Sequence, residues 1–182
     1  NAKLLREIGK LGLGADVVSM GELMLAIKAG IKPKKIVFSG VGKTAEEIKF
    51  ALKKDILQIN IESYEELVEV NEIARNIGKN NINISIRVNP DVDANTHDKI
   101  STGRGEDKFG ISIEKTKEII LSKAKFKNIN INGLAVHIGS QITNLKPFKN
   151  AFSKIRKLIL FLNSMSIKIE NLDLGGGIGI NY

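Results

Sequence analysis

The regular alternation of short β-branched runs with helical periodicity constrains this fold most. Candidate strands are ADVVS (15–19), KIVFS (35–39), ILQINI (56–61), INISIRV (82–88), GLAVHIG (133–139) and IENLDL (169–174). Between them, Leu67, Val70, Ala74 and Ile77 fall on one helical face. Leu145, Phe148, Phe152, Ile155, Leu158, Ile159 and Leu162 form a longer stripe. Helix starts are marked by Ser or Thr followed three residues later by Glu, as in Thr44/Glu47 and Ser63/Glu66. In a capping box, each of the two side chains satisfies the other residue's free backbone N–H. Strands separated by helices pair in parallel, with the helices covering the sheet.

Two α/β architectures meet this pattern, an open doubly wound sheet and a (β/α) barrel. In both, function collects at the C-terminal ends of the strands. Polar residues stand there in every candidate unit. Asp16 and Ser19 close the first strand, Ser39 and Gly40 the second, and Asn60 the third. Arg87 and Asn89 close the fourth, His137 to Ser140 the fifth, and Asp173 to Gly177 the sixth. Six such ends predict a ring around one site. The glycine fingerprint of a dinucleotide fold is missing after the first strand, which favours the barrel. Six strands cannot close an eight-stranded barrel, so about two units are expected outside this sequence.

The 182 residues are 42% hydrophobic, enough for one domain with a real core, and no linker interrupts them. There is no cysteine, hence no disulfide framework and no thiolate metal site. Nothing in the pattern points to a metal. The formal charge is +8, but the lysines are scattered along amphipathic segments, aromatics make up 5% and tryptophan is absent. A nucleic-acid site needs clustered charge and stacking aromatics, so the reading is a lysine-coated soluble protein without a nucleic-acid partner. No apolar run is long enough to cross a membrane, and no signal segment opens the chain.

Three stretches can carry chemistry. In LDLGGGIGINY, Gly175, Gly176 and Gly177 follow a strand. Successive glycines either make a plain tight turn or aim several N–H groups at an anion such as phosphate. His137 is one of two histidines, and Gly139 and Ser140 follow it. It is either a structural residue or a flat ring beside an anion site one βα unit away, which would suit a planar, phosphorylated cofactor. The segment RVNPDVDANTHDKISTGRGEDKFGI (87–111) is a loop of about twenty residues containing His97, and loops that long are functional or disordered. Ser19 and Glu22 read as helix initiation. Asp16, earlier in its strand, calls for a cationic partner or a charged ligand group.

ADVVSMGEL, the 87–111 loop, HIGSQI and LDLGGGIGINY, in that order and spacing, resemble the diaminopimelate branch of the group-IV, pyridoxal phosphate (PLP)-dependent decarboxylases, whose barrel is like that of alanine racemase. The likeness covers essentially the whole chain. It implies PLP-dependent decarboxylation of meso-2,6-diaminopimelate to L-lysine and CO2 by a cytoplasmic enzyme, a homodimer when full length, acting on a small amino acid. Another basic amino-acid decarboxylase (ornithine or arginine type) and a non-catalytic, decarboxylase-like binding protein are the alternatives. The resemblance implies that His137 stacks on the pyridine ring. It implies that Ser140, Gly175, Gly176 and Gly177 hold the phosphate, that Asp16 and Arg87 line the barrel interior near the cofactor, and that His97 borders the pocket.

Three parts of that family's pattern are not in these 182 residues. The cofactor-bearing lysine is expected in a strand just before Asn1, and Lys3 does not replace it, because it opens a helical run. The glutamate that pairs with the pyridine nitrogen, and the C-terminal β-domain with its catalytic cysteine, are expected after Tyr182. The expectation is a fragment of the PLP-binding barrel, about six βα units, inactive by itself.

Overall fold

A computed structural model describes residues 1–92 and 109–180. The chain divides into two compact units, Asn1–Ile84 with Phe126–Asn130, and Ser85–Lys125 with Ile131–Tyr182.

In the first unit, α1 (Ala2–Lys10), β1 (Ala15–Val17), α2 (Met20–Lys28), β2 (Ile36–Phe38), α3 (Ala45–Lys53), β3 (Gln58–Ile61) and α4 (Tyr64–Asn76) alternate. β1 pairs in parallel with β2, and β2 with β3. Ile36 and Phe38 of β2 and Ile59 and Ile61 of β3 are fully buried. So are Ile48 and Ala51 of α3 and Leu67, Val70 and Ala74 of α4. The period-2 pattern of each strand thus sends its apolar side into the same core as the helical stripes. α3 packs on both α2 and α4.

β4 (Ile82–Asn89) and β6 (Ile129–Ala135) are the longer strands. The second unit also holds β5 (Ile111–Ser112), α5 (Ile113–Leu121), α6 (Leu145–Ser164) and β7 (Asn171–Asp173). β6 runs parallel to β7 from Gly133↔Asn171 to Ala135↔Asp173. The stripe on α6 seats Phe148, Ile155, Leu158 and Leu162 in the core, whereas Leu145, at its first residue, is exposed. Gly133 is there for space: a Cβ would come 2.9 Å from Ser85 Cβ.

Two differences from the sequence expectation matter for the site. The fifth predicted strand (133–139) begins four residues earlier and ends at Ala135, so His137 lies just past the strand. A seventh strand, β5, has no counterpart in the hydrophobic pattern. Two residues are too short for a periodic signal, and it exists because the chain turns back along β4, pairing Val88 with Ile111 and Asn89 with Ser112. Gly110, at φ +84°, makes the turn, and a Cβ there would stand 3.1 Å from Arg87 O. Among the described residues, no helix is long and apolar enough to cross a membrane.

Candidate functional site

In the second unit the glycine loop after β7 closes on the segment after β6. Gly175 N–H donates to Asp173 Oδ1 at 2.8 Å, and Gly176 N–H donates to His137 Nδ1 at 3.3 Å. A nitrogen that accepts is unprotonated, so this bond places the proton of a neutral His137 on Nε2. The ring is half-buried and held against the loop. A Cβ on Gly175 would lie 3.0 Å from His137 Nδ1 and 3.2 Å from its Cα, so only glycine fits. Gly177 (φ +95°) is as tightly set: a Cβ would press into Gly139 O and stand 3.4 Å from Ser140 Cα. Backbone bonds tie the two segments, Ile142 N–H to Gly177 O at 2.9 Å and Gly179 N–H to Ile142 O at 3.0 Å.

Arg87 belongs to the same unit. Its Nη2 donates to His137 O at 3.4 Å, and its guanidinium lies 5.7 Å from the centroid of the Phe109 ring. Asn89 Nδ2 donates to Phe109 O at 3.4 Å. The Phe109–Ile111 stretch therefore anchors the end of the long loop on Arg87 and Asn89, as the apolar KFGI signal predicts.

In the first unit, carboxylates stitch the loops that follow the strands. Thr44 and Glu47 make the predicted capping box, and Glu47 reaches further, its Oε1 accepting from Met20 N–H at 2.9 Å. These donors hold the Glu47 carboxyl below its ordinary value, the Thr44 backbone bond first and the Met20 bond second. At α2 and α4 the box is shifted by one residue. Ser19 and Ser63 cap as expected, but Glu22 accepts from Val18 N–H at 2.8 Å and Glu66 from Glu62 N–H at 2.7 Å. Glu62, itself buried, accepts from Gly40 N–H at 3.1 Å. Lys43 has a side chain only 1% exposed and pairs with Glu66 Oε1 at 2.5 Å. Burial pushes the Glu66 carboxyl up, and Lys43 opposes that shift.

Asp16, exposed in β1, accepts from Ser39 Oγ at 2.7 Å. Ser39 Oγ accepts in turn from Asn60 Nδ2 at 2.9 Å, and Asn60 Oδ1 from Gln58 Nε2 at 3.0 Å.

The structure thus brings His137, Ser140, Gly175, Gly176, Gly177 and Arg87 together in one unit, and places Asp16 in the other. His97 lies outside the described residues. Lys43, Glu62 and Phe109 belong to no motif that singles them out in the sequence. A lysine between glycines and a helix cap (GVGKT) is the local signal for Lys43, and it is weak because the partner stands 23 positions away. Among the described residues, no group of three or more His, Asp or Glu side chains could hold a metal ion.

Of the donors expected to meet a phosphate, Gly175 and Gly176 already use their N–H groups inside the chain. Gly177 N–H and Ser140 Oγ make no hydrogen bond to another described residue, and Ser140 is exposed. A Cβ at Gly176 would meet nothing within 4 Å. The loop is therefore a cradle with free donors beside a fixed imidazole face, and it fits PLP.

A family model described as "Pyridoxal-dependent decarboxylase, pyridoxal binding domain" matches residues 1–182. The diaminopimelate decarboxylase of Zymomonas mobilis is 48% identical over 98% of this chain and 42% of its own length. A solved Helicobacter pylori diaminopimelate decarboxylase, complexed with L-lysine, superposes with a TM-score of 0.95 at 44% identity, covering all of this chain and 46% of that one. A viral arginine decarboxylase shares the fold, with a TM-score of 0.81 at 24% identity over 98% of this chain and 45% of its own. The chain spans less than half the length of these relatives. Its fold class is that of a partial TIM-type barrel, with parallel strands and covering helices. By this match along its whole length, the chain belongs to the pyridoxal-dependent decarboxylases, in their pyridoxal-binding domain.

Proposed function

We propose that the full-length protein containing this chain decarboxylates meso-2,6-diaminopimelate to L-lysine and CO2 with PLP. The observation that carries the reading is the identity to diaminopimelate decarboxylases over essentially the whole chain, against a fold-level likeness only to arginine decarboxylase.

When bound, the cofactor supplies the electron sink for loss of CO2. The chain's residues bind and orient it. Ser140 Oγ and Gly177 N–H donate to the phosphate, and the close packing of Gly175 and Gly177 on the His137 segment fixes where those donors stand. His137, anchored through Nδ1, offers its ring face to the pyridine and keeps its proton at Nε2. Arg87, held by His137 O and Phe109, sets a fixed positive charge at the end of β4. Asp16 supplies a carboxylate at the end of β1 for a cationic group of the site. The same reading makes the protein a cytoplasmic homodimer, and the mass of the full-length protein in solution tests the dimer.

Turnover of meso-diaminopimelate, ornithine and arginine by the full-length protein is the direct test. CO2 release from diaminopimelate alone is expected, and preference for ornithine or arginine would overturn the assignment. Substituting His137 with Ala should weaken PLP uptake by the apoprotein, measured from the cofactor's absorbance. Unchanged uptake would remove the ring-stacking role.

A further inference from the structure

We infer that Ser39 is a positioning residue for Asp16, set by a hydrogen-bond relay that crosses three parallel strands. The inference rests on the assignment of Asp16 to the PLP site.

A serine hydroxyl has one proton to give. Asn60 Nδ2 donates to Ser39 Oγ at 2.9 Å, which occupies a lone pair on that oxygen and turns the O–H away from Asn60. Asp16 Oδ1 stands 2.7 Å from Ser39 Oγ and takes the proton. Asn60 is aimed by Gln58 Nε2 at 3.0 Å from the same strand. The backbone supports the register: Ser39 N–H donates to Val17 O at 2.8 Å, which locks the end of β2 beside Asp16.

Packing does not account for this relay. Gln58 and Asn60 are each 3% exposed, and Gln58 Oε1 is buried without a hydrogen-bond partner. Two buried amides, one with an unsatisfied acceptor, cost stability relative to the aliphatic residues that fill the other faces of these strands. What the arrangement delivers is a single orientation of one carboxylate oxygen on an exposed side chain that would otherwise turn freely. Hydrogen bonds to a charged acceptor are the strong ones, so Ser39 both aims Asp16 and favours its ionised form.

The test uses the full-length protein in four forms beside the parent: Ser39→Ala, Ser39→Thr, Asp16→Asn and the Ser39→Ala/Asp16→Asn double variant. PLP uptake by the apoprotein, kcat and KM for meso-diaminopimelate, and thermal melting are measured for each. Ser39→Ala should lower kcat/KM roughly ten- to a hundredfold, the usual effect of losing one hydrogen bond to a charged group. Ser39→Thr, which keeps the hydroxyl, should recover most of that loss. In the Asp16→Asn background, removing Ser39 should change kcat/KM by less than about twofold, because a residue acting through Asp16 has nothing left to position.

A Ser39→Ala protein indistinguishable from the parent would overturn the inference alone, as would a loss that multiplies undiminished in the Asp16→Asn background. A Ser39→Ala protein that fails to fold would assign Ser39 to the scaffold and also overturn it. A parent protein that neither takes up PLP nor consumes diaminopimelate would overturn the proposed function, and this inference with it.

Discussion

Substituting Gly177 with Ala tests whether the glycine loop is a built cradle or a passive turn. Gly177 sits at φ +95°, and forcing an L-residue into the left-handed region costs about 1–2 kcal/mol. The added Cβ would also overlap Gly139 O and stand 3.0 Å from Gly139 C. Those are backbone atoms, so no flexible side chain can move aside. Overpacking of this kind costs about 1–3 kcal/mol. The sum is about 2–5 kcal/mol, and it falls on the joint where Ile142 N–H meets Gly177 O. If the loop holds its place, the cost appears as lost stability. If it moves away, Gly177 N–H and Ser140 separate, and PLP affinity falls by at least about tenfold. Gly176→Ala is the control: its Cβ would meet nothing within 4 Å and its φ is not positive. Both variants are made in the full-length protein, and melting and PLP titration of the apoprotein are compared. Gly177→Ala should be impaired in one or both, and Gly176→Ala should melt at or slightly above the parent. Equal melting and equal PLP uptake in the two variants would refute the argument.

Lys43→Met leaves Glu66 without its buried cation and should destabilise by about 3–5 kcal/mol in urea unfolding, most of it recovered by adding Glu66→Gln. Because its carboxyl is held below the ordinary value of 4.5, Glu47 contributes stability that is full above pH 4.5 and is lost as pH falls through the lower folded value. Glu47→Gln should therefore flatten the acid limb of a urea midpoint–pH curve. Glu66 has the opposite sign: its contribution is present below pH 4.5 and is lost as pH rises through its raised folded value. Ser85 Oγ is buried without a hydrogen-bond partner, so Ser85→Ala should be neutral or stabilising by up to about 1 kcal/mol; a loss above that would show that the hydroxyl has a partner.

The parts of this fold that are legible in sequence are those set by local chemistry. Hydrophobic period separates strand from helix, so β1 to β4 and β7 lie within or close to the segments predicted for them. Serine and threonine caps mark where α2, α3 and α4 begin, because a cap is satisfied within three residues. The glycine and histidine motifs survive for the same reason: LDLGGG and HIGS carry their backbone demands in their own residues. What cannot be read is what depends on the neighbour. The hydrophobic pattern carries β6 four residues too far, because Val136 and Ile138 are as buried as strand residues while the ladder stops at Ala135. The shifted capping boxes have the same sequence signature as the true one, and only the path of the preceding residue decides which N–H the glutamate meets.

Those non-local contacts also explain why so short a set of βα loops can hold a catalytic geometry. Each loop at the strand ends of the first unit is tied by a carboxylate from elsewhere in the chain: Val18 by Glu22, Met20 by Glu47, Gly40 by Glu62, and Gly40 again through Lys43, whose partner is Glu66. A loop held by its own cap alone is free to pivot about the helix end. A second tie from the next helix removes that freedom, as Glu47 does between α3 and the start of α2. Positioning is worth several orders of magnitude in rate when reacting groups must be aligned. The lysine and glutamates that no motif singles out therefore bear on catalysis through the loops they fix, and removing Glu47 should disturb Asp16 and Ser39 more than its distance in sequence from either would suggest.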